Sequence, residues 1–257
     1  MNDAGAKGAD VIAASLEKIR SRVEAAALRV GRDPREVALL GVSKRKSAAQ
    51  VAAAVRAGLR DVGENYVQEA VAKHREVTRA LDEAGDAPPR WHFIGRLQRN
   101  KVRQVVSRFD VVQTLDRESL GNELEKRASA AGRVIEALVQ VDLCDEPQKG
   151  GVAPPGLAAL LEASTRWGAL RVTGLMAIPE ATGDPESTRA AFARLRALRD
   201  AHRDAPGGET LGELSMGMSA DFEVAIEEGA TIIRVGTALF GPREPLEAPE
   251  PPRSDEG

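Results

Sequence analysis

The stretch that decides the fold reads TLGELSMGMSADFEVAIEEGATIIRVG, residues 210–236. It begins with a predicted strand, Thr210–Ser215, and continues with a predicted helix, Ala220–Glu228. Gly229 follows at the position of a helix C-cap glycine, and a second predicted strand, Thr231–Val235, ends the unit. That strand is mostly apolar, as strands buried on both faces of a parallel sheet are. The unit therefore predicts an α/β fold.

The same alternation of strand and helix runs through the rest of the chain. An amphipathic helix is predicted over Val11–Val30, and six further strands are predicted at Val37–Val42, Leu59–Val62, Trp91–Ile94, Val111–Thr114, Ile135–Val141 and Arg171–Ile178. Eight strands interleaved with helices favour a single closed (β/α)8 barrel of the TIM type. An open doubly wound sheet is the alternative, because strand order is not visible in a sequence.

Composition limits the organisation and the classes of function. The barrel domain is predicted over residues 10–244, with a disordered N-terminus at 1–9 and a Pro-rich, acidic, disordered tail at 245–257. A formal net charge of -3 gives no general attraction for nucleic acid or for an anionic membrane. The single cysteine, Cys144, excludes an intrachain disulfide, and no apolar run reaches the roughly 20 residues of a membrane span. A cytoplasmic monomer without a dedicated metal site is expected.

A lysine lies at the end of the first predicted strand, where a barrel of this kind carries its functional residues. The strand runs directly into Ser43, Lys44, Arg45 and Lys46. Partial burial and neighbouring cations favour the neutral amine of Lys44, which is then a better nucleophile toward an aldehyde. The alternative is a solvated cationic turn, which the local sequence alone favours.

Two other polar residues follow or occupy predicted strands. Asn65 comes after the second strand, where its side chain either caps the next helix or faces a ligand. His92 lies within the third strand, where a hydrogen-bonded structural role is more common than acid–base catalysis. His74 and His202, on polar helices, are predicted surface residues.

The turns after the seventh and eighth strands form the usual phosphate site of these barrels. Gly217 permits unusual backbone angles, and Ser219 is predicted at a helix N-cap, where its hydroxyl and free N–H groups favour an anion. Gly236 and Thr237 follow the eighth strand; the alternative is that both turns only cap helices. Arg234 lies in an otherwise apolar strand, where its guanidinium needs either a structural salt bridge or a ligand atom.

The chain resembles the YggS/PROSC family, the pyridoxal phosphate homeostasis proteins, from Leu39 to Gly241. Seven motifs carry the resemblance: LLGVSK (39–44), GENYVQE (63–69), WHFIG (91–95), LQRNK (97–101), GLMAIP (174–179), LSMGMSADFEVAI (214–226) and IRVGTALFG (233–241). The family is similar in fold to the N-terminal barrel of alanine racemase, fold type III among enzymes of pyridoxal 5′-phosphate (PLP). Because the chain stops soon after its eighth strand, the C-terminal β domain of those enzymes is not expected.

The resemblance implies eight cofactor-binding residues: Lys44, Asn65, His92, Met176, Ser219, Arg234, Gly236 and Thr237. It implies that Lys44 forms a Schiff base with PLP, that Ser219, Gly236 and Thr237 hold the phosphate, and that Arg234 faces the pyridine nitrogen. The other three would line the ring pocket. A cationic guanidinium disfavours a proton on that nitrogen, so the bound ring would be a weaker electron sink than one paired with a carboxylate.

The function implied by the resemblance is PLP homeostasis: binding, buffering and delivery of the cofactor, with little turnover and with PLP-dependent apoenzymes as recipients. Two alternatives stay open, namely a PLP enzyme such as an amino-acid racemase and a barrel that binds another phosphorylated metabolite. The chain departs from the family at Arg96, where relatives commonly have Pro. It also departs in the loop at 145–151, which puts an accessory role of Lys149 in doubt.

Overall fold

The computed structural model describes residues 3–144, 150–180 and 184–242, with side chains from residue 8 onward. The predicted tail at 245–257 and Lys149 lie outside these residues.

Eight parallel strands close into a barrel in sequence order, with β8 pairing with β1. They are β1 (Ala38–Val42), β2 (Asp61–Glu64), β3 (Arg90–Phe93), β4 (Val111–Leu115), β5 (Ile135–Gln140), β6 (Leu170–Met176), β7 (Glu213–Met218) and β8 (Ile232–Val235). The predicted (β/α)8 barrel is confirmed, and the open-sheet alternative is wrong.

Helices cover the outside of the barrel. They are α1 (Asp3–Arg29), α2 (Ala48–Arg56), α3 (Val67–Asp82), α4 (Val102–Val106), α5 (Glu118–Ala130), α6 (Leu157–Ser164), α7 (Arg189–His202), α8 (Phe222–Glu227) and α9 (Thr237–Phe240). None of these described helices has the length and apolar character needed to cross a membrane.

Helix α1 completes the outer layer. It packs against α2, α8 and α9 through a buried stripe that includes Ile12, Leu16 and Ile19. Because α9 is only one turn long, α1 fills the place of an eighth barrel helix between α8 and α2. It begins at Asp3 rather than near Val11, so from residue 3 the structure is helical where the sequence predicts a disordered segment, 1–9.

Two strands, β2 and β7, lie two and three residues further along the chain than predicted, for separate reasons. Leu59 closes helix α2 instead of opening β2: its N–H donates to the Ala54 carbonyl, and Gly58 has a φ of 99°. In β7 the pairing register with β8 shifts between Ser215 and Met218, which carries the strand three residues past its predicted end. Both displacements matter for the site, because they set which residues lie at the carboxyl ends of the strands.

The apolar core has two layers. The larger one lies between the strands and the helices, and the smaller one fills the barrel interior with Leu40, Ile94, Val111, Leu138, Met176 and Ile232. Residues paired across neighbouring strands point to the same face of the sheet. Ser215 is paired with Met176 and Ile232, and Arg234 with Leu40, so Ser215 and Arg234 also point into the barrel. Polar side chains at inward positions are therefore enclosed by the barrel.

Candidate functional site

The turn that carries Lys44 is largely shielded from water. Ser43 is fully buried, Lys44 is half-buried, and Lys46 is buried, so only Arg45 is exposed. Arg45 has a φ of 59°, the left-handed region that costs energy for a residue with a side chain. The alternative of a solvated cationic turn therefore describes Arg45, whereas Lys44 is only partly exposed.

This turn lies beside the turn that follows β8. The Nζ atom of Lys46 donates hydrogen bonds to the carbonyl oxygens of Phe240 and Pro242, at 3.1 and 2.6 Å. A Cβ atom added at Gly236 would lie 3.4 Å from the carbonyl oxygen of Val42, which is two residues before Lys44. The structure thus brings the lysine turn and the predicted phosphate turn together on adjacent strands.

A buried ionic cluster holds the residues on both sides of Lys44 in place. Lys73, on α3, donates from Nζ to the Ser43 carbonyl (2.6 Å), to Glu64 Oε1 (2.6 Å) and to Glu69 Oε1 (2.8 Å). The Ser43 hydroxyl donates to Glu64 at 2.5 Å, and the backbone N–H of Arg45 donates to Glu69. Residues on both sides of Lys44 are therefore tied to a charged group of this cluster.

Glu64 is the member of the cluster whose burial is most costly. It is fully buried, and its Oε2 atom has no hydrogen-bond partner. Burial raises the pKa of the Glu64 carboxyl group, while the charge and hydrogen bond of Lys73 and the hydrogen bond of Ser43 act in the opposite direction. The folded chain therefore holds a proton on Glu64 at a higher pH than the unfolded chain does.

Replacing Glu64 with Gln tests this proton linkage. A carboxyl group whose pKa is higher in the folded state stabilises the fold most below its ordinary pKa, and this contribution is lost as pH rises through the folded-state value. We expect the free energy of unfolding of the wild type, minus that of Glu64→Gln, to be larger at about pH 5 than at about pH 8. Urea denaturation at both pH values measures this difference, with Glu76→Gln, at an exposed position on α3, as the control. A difference that grows toward the higher pH contradicts the assignment.

Asn65 does not cap helix α3. The N-cap residue is Tyr66, and no side chain caps that end. The Oδ1 atom of Asn65 is buried and has no hydrogen-bond partner. A buried amide oxygen without a partner costs free energy, so this atom fits a ligand contact better than the capping role.

The phosphate turns differ from the prediction in one respect. Helix α8 begins at Phe222 with Asp221 as its N-cap, so the placement of Ser219 at this N-cap was wrong. The reason is a local turn in which the Asp221 carboxylate accepts from the N–H of Met218 at 2.7 Å. Ser219 instead faces the start of α9, where its Oγ atom lies 3.4 Å from the N–H nitrogen of Ala238.

The start of α9 therefore gathers small polar groups from two strands. Gly236 is its N-cap residue and Thr237, which is exposed, its first residue; no side chain caps this end. Gly217 has a φ of 89°, and a Cβ atom there would lie 2.5 Å from that of Ala225, so only glycine fits. Together these turns present hydroxyl and N–H groups suited to an anion.

Arg234 is enclosed by the barrel, and the hydrogen bonds it makes there go to neutral groups. Its guanidinium donates to Ser215 Oγ (2.8 Å) and to the Ala177 carbonyl (2.9 Å), and within the described residues no carboxylate lies within ion-pair distance of it. Burial lowers the pKa of Arg234 to about 10, although the negative charge of Asp221 acts against this shift. The side chain remains a cation at neutral pH, and the part of the chain that the structure describes does not supply the salt bridge considered from the sequence.

The two remaining predicted residues lie inside the barrel. Met176 ends β6 and is fully buried in the inner apolar layer. His92 is also buried, and both of its ring nitrogens are engaged, Nε2 with Asp61 and Nδ1 with Gln113, each at 2.9 Å. Across the described ranges no group of three or more His, Cys, Asp or Glu side chains is arranged to hold a metal ion.

Sequence reasoning missed the polar residues that support these groups. Lys73 occurs on α3 in the same buried stripe as Ala70, Val77 and Leu81, and a lysine in an apolar stripe is a usable signal. Gln113 in the buried strand VVQTL is another.

Comparison with known proteins gives a consistent picture. Residues 14–244 match the family model described as alanine racemase, N-terminal domain. A protein of Pseudomonas aeruginosa named pyridoxal phosphate homeostasis protein is 46% identical over 233 residues, which cover 91% of this chain and 96% of that protein. The protein of the same name from Escherichia coli is 40% identical over 240 residues, covering 91% and 97%.

Solved structures agree with these matches. PipY of Synechococcus elongatus, solved with PLP bound, has a TM-score of 0.78 and 36% identity, covering 90% of this chain and all of that chain. Alanine racemase of Corynebacterium glutamicum has a TM-score of 0.62 at 16% identity, covering 91% of this chain and 62% of that chain. The latter similarity concerns the fold alone.

Proposed function

Because the chain belongs to the family of pyridoxal phosphate homeostasis proteins, we propose that it binds PLP at the carboxyl end of the barrel, with Lys44 as the covalent attachment point. The observation that carries the proposal is the adjacency of the Lys44 turn and the Gly236 turn, joined through Lys46 and Val42. An aldehyde and a phosphate on one small ring need an amine and an anion site that are close together.

The residues of this chain fit the chemical groups of PLP. Lys44 would hold the cofactor through its amine, and bound PLP would supply an aldehyde with which a primary amine condenses with loss of water. Ser219, Gly236 and Thr237 hold the phosphate with hydroxyl and backbone N–H groups. The unpartnered Oδ1 of Asn65 supports a polar contact to the ring, and Met176 supplies an apolar wall.

Arg234 is proposed to face the pyridine nitrogen, and its charge argues against strong catalysis. Bound PLP acts as an electron sink when its pyridine nitrogen is protonated. A guanidinium donates hydrogen bonds and cannot accept one, so it favours the unprotonated nitrogen. This supports binding and buffering of PLP over racemisation of amino acids. We propose that the protein delivers the cofactor to PLP-dependent apoenzymes in the cytoplasm.

A binding experiment tests the proposed function. Purified protein is titrated with PLP, with pyridoxal, which lacks the phosphate, and with inorganic phosphate. We expect a visible absorption band with PLP, which sodium borohydride abolishes, and much weaker binding of pyridoxal. No band with PLP contradicts the proposal, and equal binding of pyridoxal contradicts the phosphate site. Incubation of the loaded protein with L-amino acids should yield no D-isomers at ordinary enzyme rates, roughly 1–10³ per second.

A further inference from the structure

Five polar side chains form a continuous hydrogen-bonded chain through the interior of the barrel. They come from five strands: Asp61 from β2, His92 from β3, Gln113 from β4, Ser215 from β7 and Arg234 from β8. Successive distances are 2.9 Å (Asp61 to His92), 2.9 Å (His92 to Gln113), 2.7 Å (Gln113 to Ser215) and 2.8 Å (Ser215 to Arg234). Gln113 and Ser215 are fully buried.

The arginine at one end determines the direction of every hydrogen bond. A guanidinium only donates, so Ser215 Oγ accepts from Arg234, and the serine hydrogen must point to Gln113 Oε1. The amide nitrogen of Gln113 then faces His92 and donates to Nδ1, which cannot carry a proton. The remaining proton of a neutral His92 is on Nε2, from which it is donated to the Asp61 carboxylate.

The chain therefore runs from a cation to an anion with all its donors aligned. Aligned hydrogen bonds polarise one another, so the Asp61 carboxylate strengthens the chain that ends on Arg234, while Asp221 contributes negative charge to the guanidinium separately. Asp61 opens β2, and its side chain is 16% exposed, in the wall of a cavity of about 450 Å³ that also includes Leu16 and Arg60. The chain thus connects the amino end of the barrel with Arg234 near the carboxyl end.

We infer that Gln113 and His92 are positioning residues for Arg234, and that Asp61 anchors this hydrogen-bonded chain at the opposite end of the barrel. The direction of the chain follows from the geometry alone. Its effect on the cofactor rests on the proposed function, in which Arg234 faces the pyridine nitrogen. His92 then acts on PLP through Arg234, because both of its ring nitrogens are already engaged.

The first test needs no cofactor. The chain has three histidines, so long-range 1H–15N correlation spectra of the free protein resolve each ring, and His74→Gln and His202→Gln identify the signals. Near neutral pH we expect His92 as the neutral tautomer protonated at Nε2. The tautomer protonated at Nδ1 would overturn the inference, since the Gln113 amide would then be reversed and the Ser215 hydrogen would have no acceptor.

The second test compares two substitutions at Gln113. Gln113→Leu removes both hydrogen bonds, whereas Gln113→Glu keeps an acceptor for Ser215 and requires a proton between Glu and His92. We expect Gln113→Leu to weaken PLP binding about tenfold, the upper end of what one neutral hydrogen bond contributes, and Gln113→Glu to weaken it less. We also expect Gln113→Glu to add the second proton to the His92 ring in the correlation spectrum.

Comparing the free energy of unfolding with PLP affinity separates a positioning role of Gln113 from simple filling of the core. A residue that only fills space lowers the free energy of unfolding without changing PLP affinity in the folded protein, so equal affinity of the wild type and both variants overturns the inference. If wild-type protein itself does not bind PLP while His92 shows the expected tautomer, the proposed function fails and the hydrogen-bonded chain stands.

Discussion

Replacement of Lys44 by alanine should abolish the Schiff-base absorption band of the PLP-loaded protein. The half-buried amine of Lys44 is the nucleophile that we propose for the cofactor aldehyde, and its turn lies beside the phosphate turn at Gly236. The phosphate contacts remain in the variant, and charge-assisted hydrogen bonds are worth about 1.5–3 kcal/mol each. Residual PLP should therefore bind reversibly and leave on dialysis.

Lys18→Ala is the matched control, because Lys18 is an exposed lysine on α1. It should load like the wild type. Absorption spectra before and after borohydride, followed by dialysis, distinguish covalent from reversible cofactor. A band of wild-type strength in Lys44→Ala would mean that another lysine carries the attachment, which contradicts the proposal.

Lys73→Met should have the largest effect on stability. The substitution leaves Glu64 fully buried and without its cationic partner, and removing one partner of a buried ion pair costs about 3–5 kcal/mol. It also removes the hydrogen bond to the Ser43 carbonyl, directly before Lys44. We therefore expect a lower urea midpoint and weaker PLP binding at neutral pH.

Two further variants test whether the lost ion pair causes the loss of stability in Lys73→Met. Lys126→Met makes the same change on the exposed face of α5 and should stay within about 0.5 kcal/mol of the wild type. The double variant Lys73→Met with Glu64→Gln removes the unpaired carboxylate and should recover a large part of the lost stability. A Lys73→Met protein as stable as the Lys126→Met control would show that the buried ion pair is not what holds the turn.

Much of the fold is predictable from this sequence, because burial on both faces makes each strand a short apolar run. The strands at Val37–Val42 and Thr231–Val235 could be predicted without any tertiary information. Strand limits were less accurate where a glycine ends a helix, as at Gly58, or where the register shifts, as in β7. Barrel closure itself depends on pairing between β8 and β1, which no local pattern contains.

The candidate site was predictable in part for the same reason. Lys44, Ser219, Arg234 and Gly236 follow or end predicted strands, so the barrel rule groups them at one end. The supporting residues did not follow from that rule, because Lys73 reaches Glu64 from a helix and Gln113 meets Ser215 across the barrel. Those contacts join residues from separate elements, and a single sequence carries no record of them.

Peptide mapping of the borohydride-reduced, PLP-loaded protein tests the central claim most directly. Reduction makes the attachment permanent, so mass spectrometry can locate the pyridoxyl group among the eight lysines of the chain. We predict a single main adduct on Lys44, absent from Lys44→Ala. A main adduct on any other lysine, or no adduct after loading, would contradict the account.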